Sequence, residues 1–250
     1  MNRRLATDEA GASPELQEKP PHMRYVAKLF PGSSHVWALE CAAKWELSGR
    51  ILDVGVGSGV LGCELFRLGF KQITGIEIDP LARSKAQVLG CYEAVLSSPT
   101  DDACQLEGFS HALVLDVLEH VAEPHLLLAQ IRARLKPGGT VLISVPNITH
   151  WTLRLMLLAG FFRYAERGPL DKTHLRFFSI SVLKDLIASD KQLQMGVITS
   201  SIVPLELMLP EILVKNPLFE LLRQMRISLA RRLPSLFGYQ LLVEVKKITA

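Results

Sequence analysis

The chain has 250 residues, which suits one domain or one domain carrying insertions, and 48% apolar residues are ample for a sizeable core. A formal net charge of +3 is too small to argue for nucleic acid, and none is expected as a partner. Cys41, Cys63, Cys91 and Cys104 are scattered with no C-x-x-C pair, which argues against a cysteine metal centre or a disulfide framework and for a reducing cytoplasm.

Residues 1–24 are polar and proline-bearing and read as a disordered tail, with neither apolar periodicity nor the h-region of a secretory signal. Residues 25–250 read as one domain. Ser33 or Ser34 caps a helix through Ala43, and Trp37 and Trp45 read as core anchors. Ile51–Val54 is a short apolar strand, followed by Gly55, Gly57 and Gly59 and a helix Val60–Leu68. A second strand, Gln72–Ile76, ends in Glu77-Ile78-Asp79-Pro80, with Pro80 suited to the first turn of a helix Leu81–Leu89. Strands at Tyr92–Leu96 and Ala112–Leu115 follow. A helix Pro124–Leu135 is then stopped by Lys136-Pro137-Gly138-Gly139 before a fifth strand, Thr140–Val145. This alternation predicts an α/β, doubly wound, mostly parallel sheet with helices on both faces.

After Asn147 the alternation breaks. Residues 148–178 form an insertion with an apolar helix and the polar knot G-P-L-D-K-T-H-L-R-F-F; its run Leu153–Phe162, interrupted by Arg154, is too short to span a membrane. Val182–Ala188 reads as a layer helix and Met195–Ile202 as strand six. Residues 204–236 form a second helical insertion, and Tyr239–Val245 is a final strand.

The glycine turn brings backbone N–H groups to a helix N-terminus at a sheet edge, where nucleotide-like cofactors bind. Gly57-x-Gly59-x-x-Gly62, with Glu77 about twenty residues on, fits a dinucleotide pattern. Gly55-x-Gly57-x-Gly59, with Asp53 inside the strand, fits S-adenosylmethionine (SAM) instead. A carboxylate at Glu77 can accept hydrogen bonds from both ribose hydroxyls, whereas Asp79 either joins it or caps the next helix. A buried Asp53 needs a partner, either the ammonium of SAM or a backbone N–H of the turn.

In order, I-L-D-V-G-V-G-S-G, G-I-E-I-D-P, V-L-D-V-L-E-H-V and L-K-P-G-G-T-V-L-I-S-V-P-N resemble a class I SAM-dependent methyltransferase. The later segments G-P-L-D-K-T-H-L-R-F-F and L-P-S-L-F-G-Y-Q-L-L-V resemble a bacterial group associated with surface-polysaccharide and small-molecule pathways. The resemblance implies a Rossmann-like seven-stranded sheet with an antiparallel last strand. It implies SAM contacts at Asp53, Gly55, Gly57, Gly59 and Glu77, and a small-molecule or glycan acceptor. Where that family has an adenine-contacting Asp, Ser97-Ser98-Pro99-Thr100-Asp101-Asp102 stands instead, and Phe109-Ser110 replaces F-D.

Asp116-x-x-Glu119-His120 follows strand four at the carboxyl edge, where substrates bind. Methyl transfer to oxygen needs the hydroxyl deprotonated or polarised, and His120 is the natural general base, with Asp116 beside it. Alternatively the cluster holds a divalent ion such as Mg that lowers the hydroxyl pKa. The cluster resembles the metal site of ubiquinone-pathway and small-RNA O-methyltransferases, which implies ligands at Asp116, Glu119, His120 and His174. In a third reading Glu119 and His120 only orient a loop and the SAM carboxylate. Asp171, Thr173, His174 and Arg176 form either a substrate-side wall or a cap that holds the insertion down; His150 and Trp151 line the same cleft.

Asn216-Pro217 opens a helix whose Leu218, Leu221, Leu222, Met225, Leu229 and Leu233 share a face, with Arg223, Arg226, Arg231 and Arg232 added. This basic amphipathic helix either packs its leucines on the core or meets an anionic membrane or lipid-linked substrate. The expected function is SAM-dependent methyl transfer to an oxygen. The rival is a SAM-binding or scaffold protein without chemistry.

Overall fold

The computed structural model describes residues 28–98 and 107–248. The tail at 1–24 and most of the stretch standing in for the adenine-contacting Asp lie outside them. The elements are α1 (Ser34–Ala42), β1 (Ile51–Val54), α2 (Val60–Leu68), β2 (Ile73–Ile76), α3 (Pro80–Val88), β3 (Ala94–Leu96) and β4 (Phe109–Leu115). They continue with α4 (Pro124–Arg134), β5 (Leu135–Pro146), α5 (Trp151–Leu158), α6 (Ile180–Ala188), β6 (Leu193–Met195) and β7 (Thr199–Ser200). The last are α7 (Glu211–Val214), α8 (Pro217–Arg232), α9 (Pro234–Phe237) and β8 (Gln240–Lys247).

The sheet order is β3-β2-β1-β4-β5-β8-β6, with β7 also on β8. Strands β1 to β5 are mutually parallel, and β8 runs antiparallel to β5, β6 and β7. The expected doubly wound, mostly parallel sheet is what forms. Alternation along the strands feeds a core on each face: Leu52, Ile143 and Leu183 lie in one, Ile51, Leu113, Leu142 and Leu65 in the other. Chain order reverses at β1, which lies between β2 and β4. The carboxyl ends of β1 and β4 therefore flank the crevice where ligands bind in open α/β sheets.

Several boundaries differ from the sequence expectation. Strand six is two pieces, because the Gly196 amide bonds the Glu244 carbonyl and Val197 swings out, 89% exposed. Tyr92 falls outside β3. Lys136–Gly139 does not separate α4 from β5 but forms an irregularity inside the strand: Leu135 already pairs with Phe109, and the register shifts before His111. The excursion at 204–236 breaks into a 3-10 turn (Leu205–Leu207), α7, α8 and α9, with Pro210, Pro217 and Pro234 at the breaks.

A disulfide joins Cys63 to Cys91, with Cα atoms 5.0 Å apart, against the expectation of none. No motif marks the pair. It arises because α2 packs over the approach to β3, so that the Gly62 amide donates to the Tyr92 hydroxyl and the neighbouring cysteines face one another.

Candidate active site

The glycine turn is built as its composition demands. Gly55, Gly57 and Gly59 have φ of 79°, 55° and 77°, the left-handed region that side chains disfavour. Gly59 is the N-cap of α2 and offers no capping side chain, so backbone alone lines that helix N-terminus. Glu77, at the end of β2, closes the turn. Its Oε2 accepts from the Gly57 amide at 2.7 Å and its Oε1 from the Asp79 amide at 2.9 Å. Each carboxylate oxygen keeps a second lone pair, so the acid can brace the turn and still take two hydroxyls. Asp79 caps α3, its Oδ1 accepting from the Ala82 amide at 2.7 Å.

Asp53 finds a partner within the protein that the sequence did not suggest. Its Oδ2 accepts a 2.7 Å hydrogen bond from the Tyr92 hydroxyl. Burial pushes the Asp53 carboxyl up to about 6 against the pull of that bond. Gly62 and Gly75 make room for the tyrosine: a Cβ on Gly62 would lie 2.1 Å from its ring, and one on Gly75 3.2 Å from it. The third glycine of the apparent dinucleotide pattern therefore has a packing reason.

At the end of β4, Asp116 has φ 56°, the positive value found at no other non-glycine among the described residues. Its carboxylate is held by the Lys28 ammonium at 2.5 Å, the Ser144 hydroxyl at 2.7 Å and the Gln240 amide at 2.5 Å. Burial would raise this carboxyl, but the charge and hydrogen bond of Lys28 overrule it and set it at about 2. Asp116 is thus committed to Lys28. The ligand atoms that lie within 4.8 Å of one another belong to Glu119, His120 and His174, without Asp116.

A 3-10 turn, Leu118–His120, sets Glu119 inward and His120 outward. The Glu119 carbonyl accepts from the amides of Leu175 at 2.7 Å and Arg176 at 3.0 Å, which docks the second half of the polar knot onto this turn. The His120 and His174 rings then meet edge to face, centroids 4.9 Å apart. His120 Nδ1 lies 3.3 Å from the Thr173 carbonyl and His174 Nδ1 3.2 Å from the Pro169 carbonyl. Carbonyls only accept, so both Nδ1 atoms carry protons in the neutral rings, and each Nε2 is left with its lone pair. Burial and then the neighbouring His120 lower the His174 pKa. Glu119 is 1% exposed; burial, followed by the Asp116 charge, drives its carboxyl well above the usual range, and its Oε2 has no hydrogen-bond partner.

Other members of the knot hold it in place. Asp171 accepts from the Thr173 amide and hydroxyl, and Arg176 donates to the Ala122 carbonyl. Buried His150 lies 6.5 Å, ring to ring, from Tyr239 and 6.0 Å from Trp151. Sequence reasoning missed Lys28, Tyr92 and Gln240. Each reaches the site from far along the chain, and no local pattern marks it.

A switch-point crevice with a glycine turn on one side and an acid–imidazole cluster on the other defines an α/β enzyme fold of the nucleotide-cofactor type. A family model described as a methyltransferase domain matches residues 34–189, and the chain belongs to that family. The ubiquinone biosynthesis O-methyltransferase of Xanthomonas oryzae pv. oryzae is 34% identical over 136 residues, 51% of this chain and 56% of that protein. Its counterpart in Xanthomonas campestris pv. campestris is 35% identical over 144 residues, 55% of this chain and 59% of that protein. The matches thus span just over half the length of these relatives. An S-adenosylmethionine-dependent methyltransferase from Mesorhizobium loti superposes with a TM-score of 0.55 at 17% identity, covering 86% of this chain and 99% of that one. One from Archaeoglobus fulgidus gives 0.55 at 18%, covering 87% and 96%. At such identities the likeness is one of fold.

Proposed function

We propose that the protein transfers the methyl group of SAM to an oxygen of a small molecule or glycan. The observation that carries this reading is the pairing of His120 with His174 over Glu119 at the end of β4, beside the strand that leads into the glycine turn. SAM, when bound, supplies an electrophilic methyl on a sulfonium. The bare N-terminus of α2 and the spare lone pairs of Glu77 fit its carboxylate and its ribose hydroxyls. His120 Nε2 takes the acceptor's proton. His174 shares the cleft wall and, kept neutral by burial, can relay that proton. The knot and the β4 turn position the acceptor, and such positioning carries much of the rate.

A second reading has a specific observation behind it. Three ligand atoms within 4.8 Å, an orphaned Glu119 oxygen and two imidazoles held by carbonyls fit a weakly held divalent ion. Glu119, His120 and His174 would hold it, and it would lower the pKa of an acceptor hydroxyl. Because Glu119 favours its protonated form, ion binding would release a proton and tighten as pH rises.

Label transfer from methyl-labelled SAM into acceptor extracts, run beside SAM titration, tests the function. Transfer supports the enzyme; SAM binding with no transfer to any acceptor returns the scaffold reading. Turnover that survives chelation removes the ion and leaves the histidine base.

A further inference from the structure

The helical period of α8 puts Leu218, Leu221, Leu222, Met225, Leu229 and Leu233 on one stripe, which in a soluble domain faces the core. Here the stripe faces outward. All six are exposed, Leu218 at 63% and Met225 at 53%. The face against the body carries Ile227 and Ala230 together with two arginines. Arg226 reaches the Val203 carbonyl and Glu206, and Arg223 pairs with Glu220. Glu206 Oε2 and Arg223 Nε are buried there without hydrogen-bond partners. The helix turns charge inward and leucine outward, and α7 continues the apolar surface with Ile212 and Leu213. Exposed apolar surface of this extent marks a site of contact.

Charge decides what covers it. Residues 204–236 hold five Lys or Arg against three Asp or Glu, and residues 148–178 hold five against two. With the whole chain at +3, the two insertions carry all of its excess positive charge. The insertion at 148–178 also exposes Trp151, Phe161, Phe162 and Tyr164. A second copy of the chain meeting on α8 by a two-fold axis would bring like charge onto like charge. An exposed leucine stripe that ends in the exposed Arg231 and Arg232 matches the boundary between headgroups and acyl chains. No helix among the described residues is long and apolar enough to cross a membrane, so the contact is with its surface.

We propose that α7 and α8 dock the protein on an anionic lipid bilayer, the leucine stripe entering the boundary layer while Arg231 and Arg232 meet lipid phosphates. The inference does not depend on the methyl-transfer reading.

Co-sedimentation of the full chain with vesicles tests it, using phosphatidylcholine alone or mixed with phosphatidylglycerol. At low salt the mixed vesicles should retain at least about tenfold more protein, and salt should release it. Leu222→Glu with Met225→Glu should lower retention about tenfold, with circular dichroism and melting unchanged, because both side chains are exposed. Arg231→Glu with Arg232→Glu should abolish the preference for anionic lipid and provides a separate check should the first variant misfold. Equal sedimentation with and without phosphatidylglycerol, or full retention by the folded leucine variant, would overturn the proposal. So would a dimer that the leucine variant dissolves in a protein that ignores vesicles.

Discussion

The Tyr92 hydroxyl donates to Asp53 Oδ2 at 2.7 Å and accepts from the Gly62 amide at 3.1 Å, so one side chain joins the buried acid of β1 to the first turn of α2. Among the described residues Asp53 has no other side-chain donor, and burial pushes its carboxyl up to about 6.

Tyr92→Phe removes that donor while keeping the ring. Stability should fall by about 1–3 kcal/mol, the cost of leaving a buried polar group unpaired. The raised pKa of Asp53 means that the folded state binds its proton more tightly than the unfolded chain, so stability declines as pH rises from 3.8 through about 6. Losing the tyrosine raises that pKa further. Urea denaturation should therefore show a larger deficit for the variant above pH 6 than below it; an equal deficit at both would mean the bond does not favour the ionised acid.

Glu77→Ala should weaken SAM by about 1.5–3 kcal/mol, the worth of hydrogen bonds to a charged group, as read by calorimetry. The variant also loses the brace on Gly57 and Asp79, so its melting temperature should drop. Unchanged affinity in a folded variant would leave Glu77 as a turn brace alone.

Lys28→Met leaves Asp116 buried without its cation. The expected loss is about 2–5 kcal/mol, toward the lower end because the lysine side chain keeps 27% of its exposure. In the native protein the stability supplied by the depressed Asp116 is present above pH 3.8 and is lost as pH falls through about 2. In the variant burial raises this carboxyl instead, so the contribution reverses sign and stability should decline as pH rises past 3.8, which denaturation along a pH series will read.

On the proposed reading, in which His174 serves the acceptor, His174→Ala should lower kcat by about a hundredfold or more with SAM affinity unchanged. Its lowered pKa keeps it neutral above 6.5, so protonation of His174 can limit the native rate only below that pH. A pH–rate profile of kcat/KM that is unaltered by the substitution, with kcat intact, would remove His174 from the chemistry.

The parts of the fold built by local rules were legible. Ile51–Val54, the glycine turn and Val60–Leu68 appear as read, because a strand, a left-handed turn and a helix each leave their mark on a few adjacent residues. Pro80 and Asp79 likewise opened α3 as their types dictate. What stayed hidden depends on distance. Asp53 and Tyr92 are 39 residues apart, and Lys28 and Asp116 88 apart; pairings of that kind have no period. The meeting of His120 with His174 followed from a family resemblance, not from spacing. The orientation of α8 was out of reach for another reason. Periodicity tells which side chains share a stripe, not which way the stripe faces.

The position of β8 bears on how the sheet is completed during synthesis. It is made after every other strand, yet it lies inside the sheet, with β5 on one side and β6 and β7 on the other. Until it emerges from the ribosome, seven positions of β5 from Thr140 to Pro146 have no neighbour on that edge, and β6 and β7 have no sheet to join. The nascent chain thus holds an apolar strand edge open while residues 147–239 are being made, and such an edge invites pairing with other chains. Stop codons ahead of Gln240 should therefore yield not a trimmed protein but an aggregating one.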